Sequence, residues 1–323
     1  MFPVEEGYPR NLLELEARFS SEEACREYLL ALRWPEGFRC PRCHGAEIWP
    51  LRGSLLECAG CHRQASVTAG TIFQDSRLPL ALWFRAAWWV SSQKNGIGAM
   101  GLQRVLGLKS YKTAWTLLHK LRHAMARPGR DRLSGRVEAD EAYLGGEEPG
   151  VRGRQTESKA PIAVAAEEDG LGIGRMRMRR ILDASADCLM PFVEDSVEPG
   201  SVVHADGWLG YLPLEGKGYR HAVAFLKGNG KTASALLPRV HRAVALLKRA
   251  LMGTHQGAAS LEHLDAYLDE FTFRFNRRAW RSRGKLFYRL LEQAVAVEPV
   301  PCKSLVKCPA EQRFLKPQDV GVT

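Results

Sequence analysis

Four cysteines and two aspartates carry most of the chemistry that can be read from this chain. Cys40-Pro41-Arg42-Cys43 is followed after fourteen residues by Cys58-Ala59-Gly60-Cys61. Each C-x-x-C makes a tight knuckle that aims two thiolates at one point, and two knuckles complete the tetrahedral S₄ set that suits a structural Zn²⁺. His44 and His62 stand next to these positions, but four thiolates already fill such a site, so neither is counted as a ligand. The second centre is Arg136-Val137-Glu138-Ala139-Asp140-Glu141-Ala142-Tyr143-Leu144-Gly145-Gly146, where polar and apolar residues alternate before a glycine pair. This is the pattern of a short strand with Glu138, Asp140 and Ala142 on one face. A later apolar run, Val202-Val203-His204-Ala205-Asp206-Gly207, also delivers an aspartate at its end. Two strand-borne aspartates far apart in sequence can meet in one sheet and there hold divalent cations.

Elements that could position these groups follow from the hydrophobic spacing. Residues 11–32 read as helix, with a Ser20-Ser21-Glu22-Glu23 capping signal in the middle and Cys25 as a small buried hydrophobe. Around the cysteines, Glu47-Ile48-Trp49 and Leu55-Leu56-Glu57 are strand-like, and so small a module needs metal binding to fold. From Leu78 the spacing turns helical through Trp83, Ala86, Ala87 and Val90, breaking at Asn95-Gly96. A short helix over Ala99–Leu106, the turn at Gly107 and a longer helix after Ser110 make a helix-turn-helix pattern. Lys109, Lys112, Lys120 and Arg122 are expected on its outer face, and Pro128-Gly129 reads as a linker. Beyond it come candidate strands at 136–143, 161–166, 175–182, 201–206 and 221–225, a short helix at Leu189–Val193, and long helices over Ala233–Leu251 and Ser260–Arg278. Arg175, Arg177, Arg179 and Arg180 form one basic edge, and Arg274, Arg277, Arg278, Arg281, Arg283 and Lys285 form another. Both are candidate phosphate contacts. Cys188, Cys302 and Cys308 have no metal-like partner pair and read as structural.

Composition narrows the class. With 45% hydrophobic and 25% charged residues, the chain is globular rather than disordered. Its net charge is +10, and residues 31–130 hold fifteen Lys and Arg against four acids, whereas residues 1–30 hold seven Glu against three Arg. So uneven a balance points to a polyanion, most economically nucleic acid. No apolar run reaches the ~18–20 residues a membrane span needs, and the N-terminus lacks a signal core. A reducing intracellular, cytoplasmic location is the expectation, in which the eight cysteines are not a disulfide framework.

Zinc ribbon, basic helical segment, VEADEAYLGG, HADGWLGY, KRALMGTHQG and YLDEFTFRFNRR, in that order, resemble the DDE-type insertion-sequence transposases of the ISXO-like group. The resemblance spans roughly residues 20–290. It implies an α/β, ribonuclease H-like catalytic domain, a mixed five-stranded sheet flanked by helices, over residues 131–290. Before it would stand a helical segment (1–35), a zinc ribbon (36–75) and a helix-turn-helix-like domain (76–130), with a tail (291–323) after it. Matched onto the motifs, Asp140 is the first catalytic acid and Asp206 the second. The usual third acid is missing, because no Glu occurs between Glu215 and Glu262, and the alignment of motifs puts His241 there. Some members of the group carry Asn or His at this place, and a neutral imidazole can ligate a divalent cation. Glu138 and Glu141 are read as supporting or structural.

The implied activity is binding of double-stranded DNA at terminal inverted repeats, cleavage assisted by two Mg²⁺ or Mn²⁺ ions, and joining of the 3′ ends to target DNA. Arg277 and Arg278 join the four helix-turn-helix cations as DNA contacts, and a dimer or larger assembly on DNA is implied. A DNA-binding protein descended from such an enzyme, with a lapsed active site, and a metal-dependent nuclease without strand-transfer activity are the alternatives.

Overall fold

A computed structural model describes residues 7–51, 55–126, 131–145, 159–224, 232–255 and 261–306. Pro128-Gly129, Gly146, Phe225, Ser260 and Cys308 lie outside the described residues. The chain divides into two compact units, one holding the described residues up to 126 together with 277–306, the other holding 131–276.

The first unit opens with α1 (Leu12–Arg18) and α2 (Glu22–Arg33) instead of one continuous helix. The break has a local cause. The Ser21 hydroxyl accepts the Ala24 N–H at 3.1 Å and starts a new helix. Between the two, Phe19 turns inward onto Tyr28 and Phe84, with ring centroids 4.9 and 4.6 Å away. A three-stranded antiparallel ribbon follows, β1 (Ile48–Pro50), β2 (Leu55–Cys58) and β3 (Gln64–Ser66). Then come α3 (Leu80–Ser92), α4 (Ala99–Leu106) and α5 (Tyr111–Met125), close to the sequence reading. Gly107, at φ 63°, closes α4 in the left-handed conformation that glycine adopts without strain. Pro79 gives α3 no side-chain cap, and the Glu22 carboxylate does this from a distance, accepting the Leu80 and Ala81 N–H groups at 3.0 and 3.1 Å.

In the second unit, β4 (Arg136–Leu144), β5 (Ala160–Asp169), β6 (Gly172–Arg180), β7 (Val202–Asp206) and β8 (Arg220–Ala224) form one sheet in the order β6-β5-β4-β7-β8. β4, β5 and β6 are antiparallel neighbours, while β7 and β8 run parallel to β4. Helix α6 (Ala186–Ser196) covers one face, packing Leu189, Phe192 and Val193 against Val137, Ala139, Val203 and Ala205. After the single turn of α7 (Ala233–Leu236), α8 (Pro238–His255) and α9 (Leu264–Phe275) cover the other face. There Val240, Ala243, Leu247, Leu264 and Leu268 meet Ile162, Val164, Ala166, Met176 and Met178. This is the mixed five-stranded, helix-flanked ribonuclease H-like sheet. The helix expected over Ala233–Leu251 is divided at Pro238, which takes the first position of α8, where a missing N–H costs nothing.

One element was not foreseen. Helix α10 (Arg283–Ala296) belongs to the first unit, so the second unit ends at Asn276 and not near 290. Phe287 joins Phe19, Phe84 and Trp88 at centroid distances of 5.8–6.0 Å. Gly284 lies so close to the Pro9 backbone that a Cβ there would stand 1.7 Å from the Pro9 carbonyl oxygen. A last short helix, α11 (Cys302–Val306), places the Cys302 sulfur 3.4 Å from the Thr116 hydroxyl.

Candidate active site

The four ribbon thiols converge as their spacing predicts, with all four Sγ atoms within 4.8 Å of one another. The two knuckles are built alike. His44 donates its N–H to Cys40 O and His62 to Cys58 O, each at 2.9 Å, and Cys40 and Cys58 donate theirs to Gly45 O and Arg63 O, each at 3.0 Å. His44 and His62 take left-handed backbone, φ 59° and 57°, to close these turns. Neither joins the thiol group, and the His62 ring instead lies 3.0 Å from Glu57. N–H groups of Cys43 and Arg42 directed at the Cys40 sulfur favour its thiolate and bring its pKa down to about 6. By contrast, burial pushes the Cys25 thiol up to about 12, in keeping with a purely packing role. Among the described residues the quartet is the one group of three or more candidate ligands this tight, and it fits a structural zinc ion.

The aspartates come from the sheet. Along β4, Val137 and Ala139 enter the α6-side core, so strand alternation turns Glu138 and Asp140 toward α8 and α9. Glu138 pairs with His204 across the parallel β4–β7 ladder, and Asp140 and Asp206 each stand two residues beyond that pair. Each carboxylate is held by its own backbone turn. Asp140 Oδ1 accepts the Glu141 N–H at 2.9 Å, and Asp206 Oδ1 accepts the Trp208 N–H at 3.1 Å. On the opposite face the buried Tyr211 hydroxyl lies 3.5 Å from Glu141 Oε2. Burial raises the Tyr211 pKa, and the charges of Glu141, Asp140 and Asp206 raise it further, so the phenol stays a proton donor amid carboxylates.

His241, in the first turns of α8, does reach this site. Its Nε2 lies 3.6 Å from Asp140 Oδ2 and is buried without a hydrogen-bond partner. Burial lowers the imidazole pKa, with the Glu138 charge opposing, which favours the neutral ring beside the carboxylate. Asp206 shares the strand face of Asp140, and carboxylates with an imidazole nitrogen are donors of the kind that divalent cations take.

Several expected cations are engaged elsewhere. Lys120 is buried, its Nζ donating to Ile72 O at 3.2 Å and Gln74 O at 3.5 Å. Arg122 is also buried, with Nη1 3.2 Å from His119 Nε2. Both lie on the inner side of α5, because that helix is covered on more sides than an amphipathic stripe implies. Lys109, Lys112 and Arg278 are exposed, and Arg277 is half-buried over the Trp280 ring at 5.6 Å. Arg175 pairs with Glu167 at 2.6 Å, Arg179 with Asp195 at 2.8 Å, and the buried Arg177 donates to Met176 O. Those three arginines of the edge strand β6 therefore serve the fold.

Sequence reasoning missed Arg239. The wholly buried Glu138 accepts its Nη1 at 2.8 Å and, through Oε2, the backbone N–H groups of Arg239 and Val240 at 2.6 and 3.0 Å. Nothing in the run Leu237-Pro238-Arg239 distinguishes this arginine from its basic neighbours.

Fold and site define a class: a ribonuclease H-like domain with one aspartate on each of two neighbouring strands, in a chain that also holds a zinc ribbon. Family comparison narrows it, since residues 132–276 match the ISXO2-like transposase domain and residues 20–64 the transposase zinc-ribbon domain. Over these two stretches the chain is similar to ISXO2-like transposases and to the zinc ribbon of transposases. It is also similar to an uncharacterized protein in transposable element ISH50 of Halobacterium salinarum, 28% identical over 294 residues, 83% of this chain and 94% of that one. Among solved structures, a Mos1 transposase paired-end complex with left transposon end is 13% identical, with 71% of this chain and 78% of that chain covered and a TM-score of 0.31. The Mos1 strand transfer complex is 14% identical, with coverage of 71% and 77% and a TM-score of 0.30. Likeness at these scores supports nothing further about this chain.

Proposed function

We propose that this transposase binds the terminal inverted repeats of its element, cleaves DNA phosphodiesters with divalent cations held by Asp140, Asp206 and His241, and joins the 3′ ends to target DNA. The observation that carries the reading is the buried, unpartnered His241 Nε2 3.6 Å from Asp140, on the sheet face that strand alternation also gives to Asp206. Bound Mg²⁺ or Mn²⁺ would there supply an activated oxygen nucleophile and charge stabilisation for the leaving oxygen. The chain's part is to keep three donors facing one space. Backbone turns hold the aspartates, and α8 holds the imidazole neutral and partly shielded from water. Double-stranded DNA is the partner, met by exposed Lys109, Lys112 and Arg278 and by half-buried Arg277, and cleavage with joining requires more than one protomer on paired ends.

The test uses purified full-length protein with labelled duplexes carrying the repeats that flank its coding region, in Mg²⁺ and in Mn²⁺. Cleavage at the repeat ends, lost in Asp140→Ala and Asp206→Ala, supports the reading. Repeat-specific binding without cleavage in either metal would leave a catalytically lapsed DNA-binding protein instead.

A further inference from the structure

Helix α8 begins at Leu237-Pro238, and the buried Leu237 has no side-chain oxygen with which to cap it. The cap comes from the sheet. Glu138 Oε2 accepts the Arg239 and Val240 N–H groups, the two donors that a capping side chain ordinarily takes, while its charge faces the positive end of an 18-residue helix. The first N–H closed within the helix is that of His241, to Leu237 O at 3.3 Å. Arg239 locks the same joint from outside. Nη1 bonds Glu138 Oε1 at 2.8 Å and stands 3.5 Å from Glu168, while Nε and Nη2 reach Gly172 O at 3.0 Å and Gly170 O at 2.6 Å in the β5–β6 turn. Glu138 is two residues from Asp140 on the same strand face, and Arg239 is two residues from His241.

We infer that Glu138, with Arg239, is a positioning pair that sets the spacing between Asp140 and the His241 imidazole and so the affinity of the site for its cation. This rests on the reading that Asp140, Asp206 and His241 hold that cation. A carboxylate buried to 0% exposure is costly unless fully satisfied, and here every named partner belongs to α8 or to the turn beside it. Removing it frees the helix start to shift, and a shift of the helix start moves the imidazole.

The experiment is a double-mutant cycle on the full chain, with Mn²⁺ affinity measured by calorimetry and each melting temperature recorded. Partners that orient metal ligands typically contribute about 10–100-fold to affinity, so Glu138→Gln should weaken Mn²⁺ binding by roughly that factor. In a His241→Ala background the same substitution should have almost no further effect, because its influence passes through the imidazole. An equal loss in both backgrounds would overturn the positioning role and leave Glu138 a stability residue. If His241→Ala itself leaves Mn²⁺ affinity unchanged, the ligand assignment fails and the positioning role fails with it. Should Glu138→Gln not fold, Arg239→Lys keeps the charge beside Glu138 and every backbone bond to α8. It should give a smaller loss that again disappears without His241, and a loss that persists there sinks the inference.

Discussion

A neutral imidazole and a carboxylate 3.6 Å apart gain little from each other directly, and the proposed shared cation gives their approach a role. Alanine at Asp140 or Asp206 should lower cleavage by at least about a hundredfold, since a cation contributes several kcal/mol of charge stabilisation and each ~1.4 kcal/mol is a factor of ten. Repeat binding, followed by gel shift, should change little. His241→Ala should slow cleavage similarly, while His241→Glu should recover part of the rate and prefer Mg²⁺, a hard cation suited to oxygen ligands. Wild-type rates for His241→Ala in both metals would reduce it to a helix-surface residue. A second contrast separates lysines close in sequence. Lys109→Ala and Lys112→Ala should each reduce the salt dependence of DNA affinity by about 0.9 in log–log slope for a lost phosphate contact. Lys120→Ala should leave the slope alone and destabilise the fold by about 1–3 kcal/mol, because its Nζ satisfies buried carbonyls. An altered slope for Lys120→Ala would return it to the DNA surface.

Among the elements, the ribbon depends most on its metal. Its strands have 3, 4 and 3 residues and its buried cluster is Phe38, Cys40 and Cys58, too little to fold alone. Chelation of zinc, or Cys40→Ser with Cys58→Ser, should unfold this module, seen as lost chemical-shift dispersion for residues 36–66 together with loss of zinc. A ribbon that keeps its dispersion without metal would refute the assignment. Helix α10 offers a separate test of packing. Gly284→Ala pushes a methyl into the Pro9 carbonyl and should destabilise the protein by about 1–3 kcal/mol, read from denaturant melts, with no change in zinc content. A melt like wild type would mean that the Pro9 segment yields freely.

Across the whole molecule, two half-buried imidazoles give stability a pH dependence near neutrality. Burial lowers the pKa values of both His221 and His241 from 6.5. Above pH 6.5 both rings are neutral whether the chain is folded or not, so they contribute no pH dependence. Below it the unfolded chain takes up protons that the folded chain resists, and stability falls until the lower folded values are passed. The melting temperature should therefore drop from pH 7 toward pH 5, and the drop should be shallower in a His221→Gln/His241→Gln variant. An unchanged acid slope in that variant would show that other groups govern it.

Taken alone, the sequence determined what is periodic or locally spaced. The paired C-x-x-C motifs fixed the thiol quartet, because a knuckle needs only a few residues of chain. Alternation at 136–143 and short apolar runs elsewhere marked all five strands of the sheet to within a few residues, and the alternation gave Asp140 a face. His241 came from the order of motifs, not from its own surroundings. Tertiary structure decided what depends on residues distant in the chain. Helix α10 returns to Phe19, Phe84 and Trp88, so the unit boundary could not be seen in composition near 290. Lys120 and Arg122 read as outward because charge usually is, but the residues that bury them are tens of positions away or on a turn of helix expected to be wet. Likewise Glu22 read as part of a local capping signal and Glu138 as a supporting or structural strand acid. Each proved to cap a helix, 58 and 101 residues further on, because Pro79 and Leu237 leave those helix starts without an oxygen of their own. A helix end must find an acceptor, and which distant carboxylate answers is settled only by the fold.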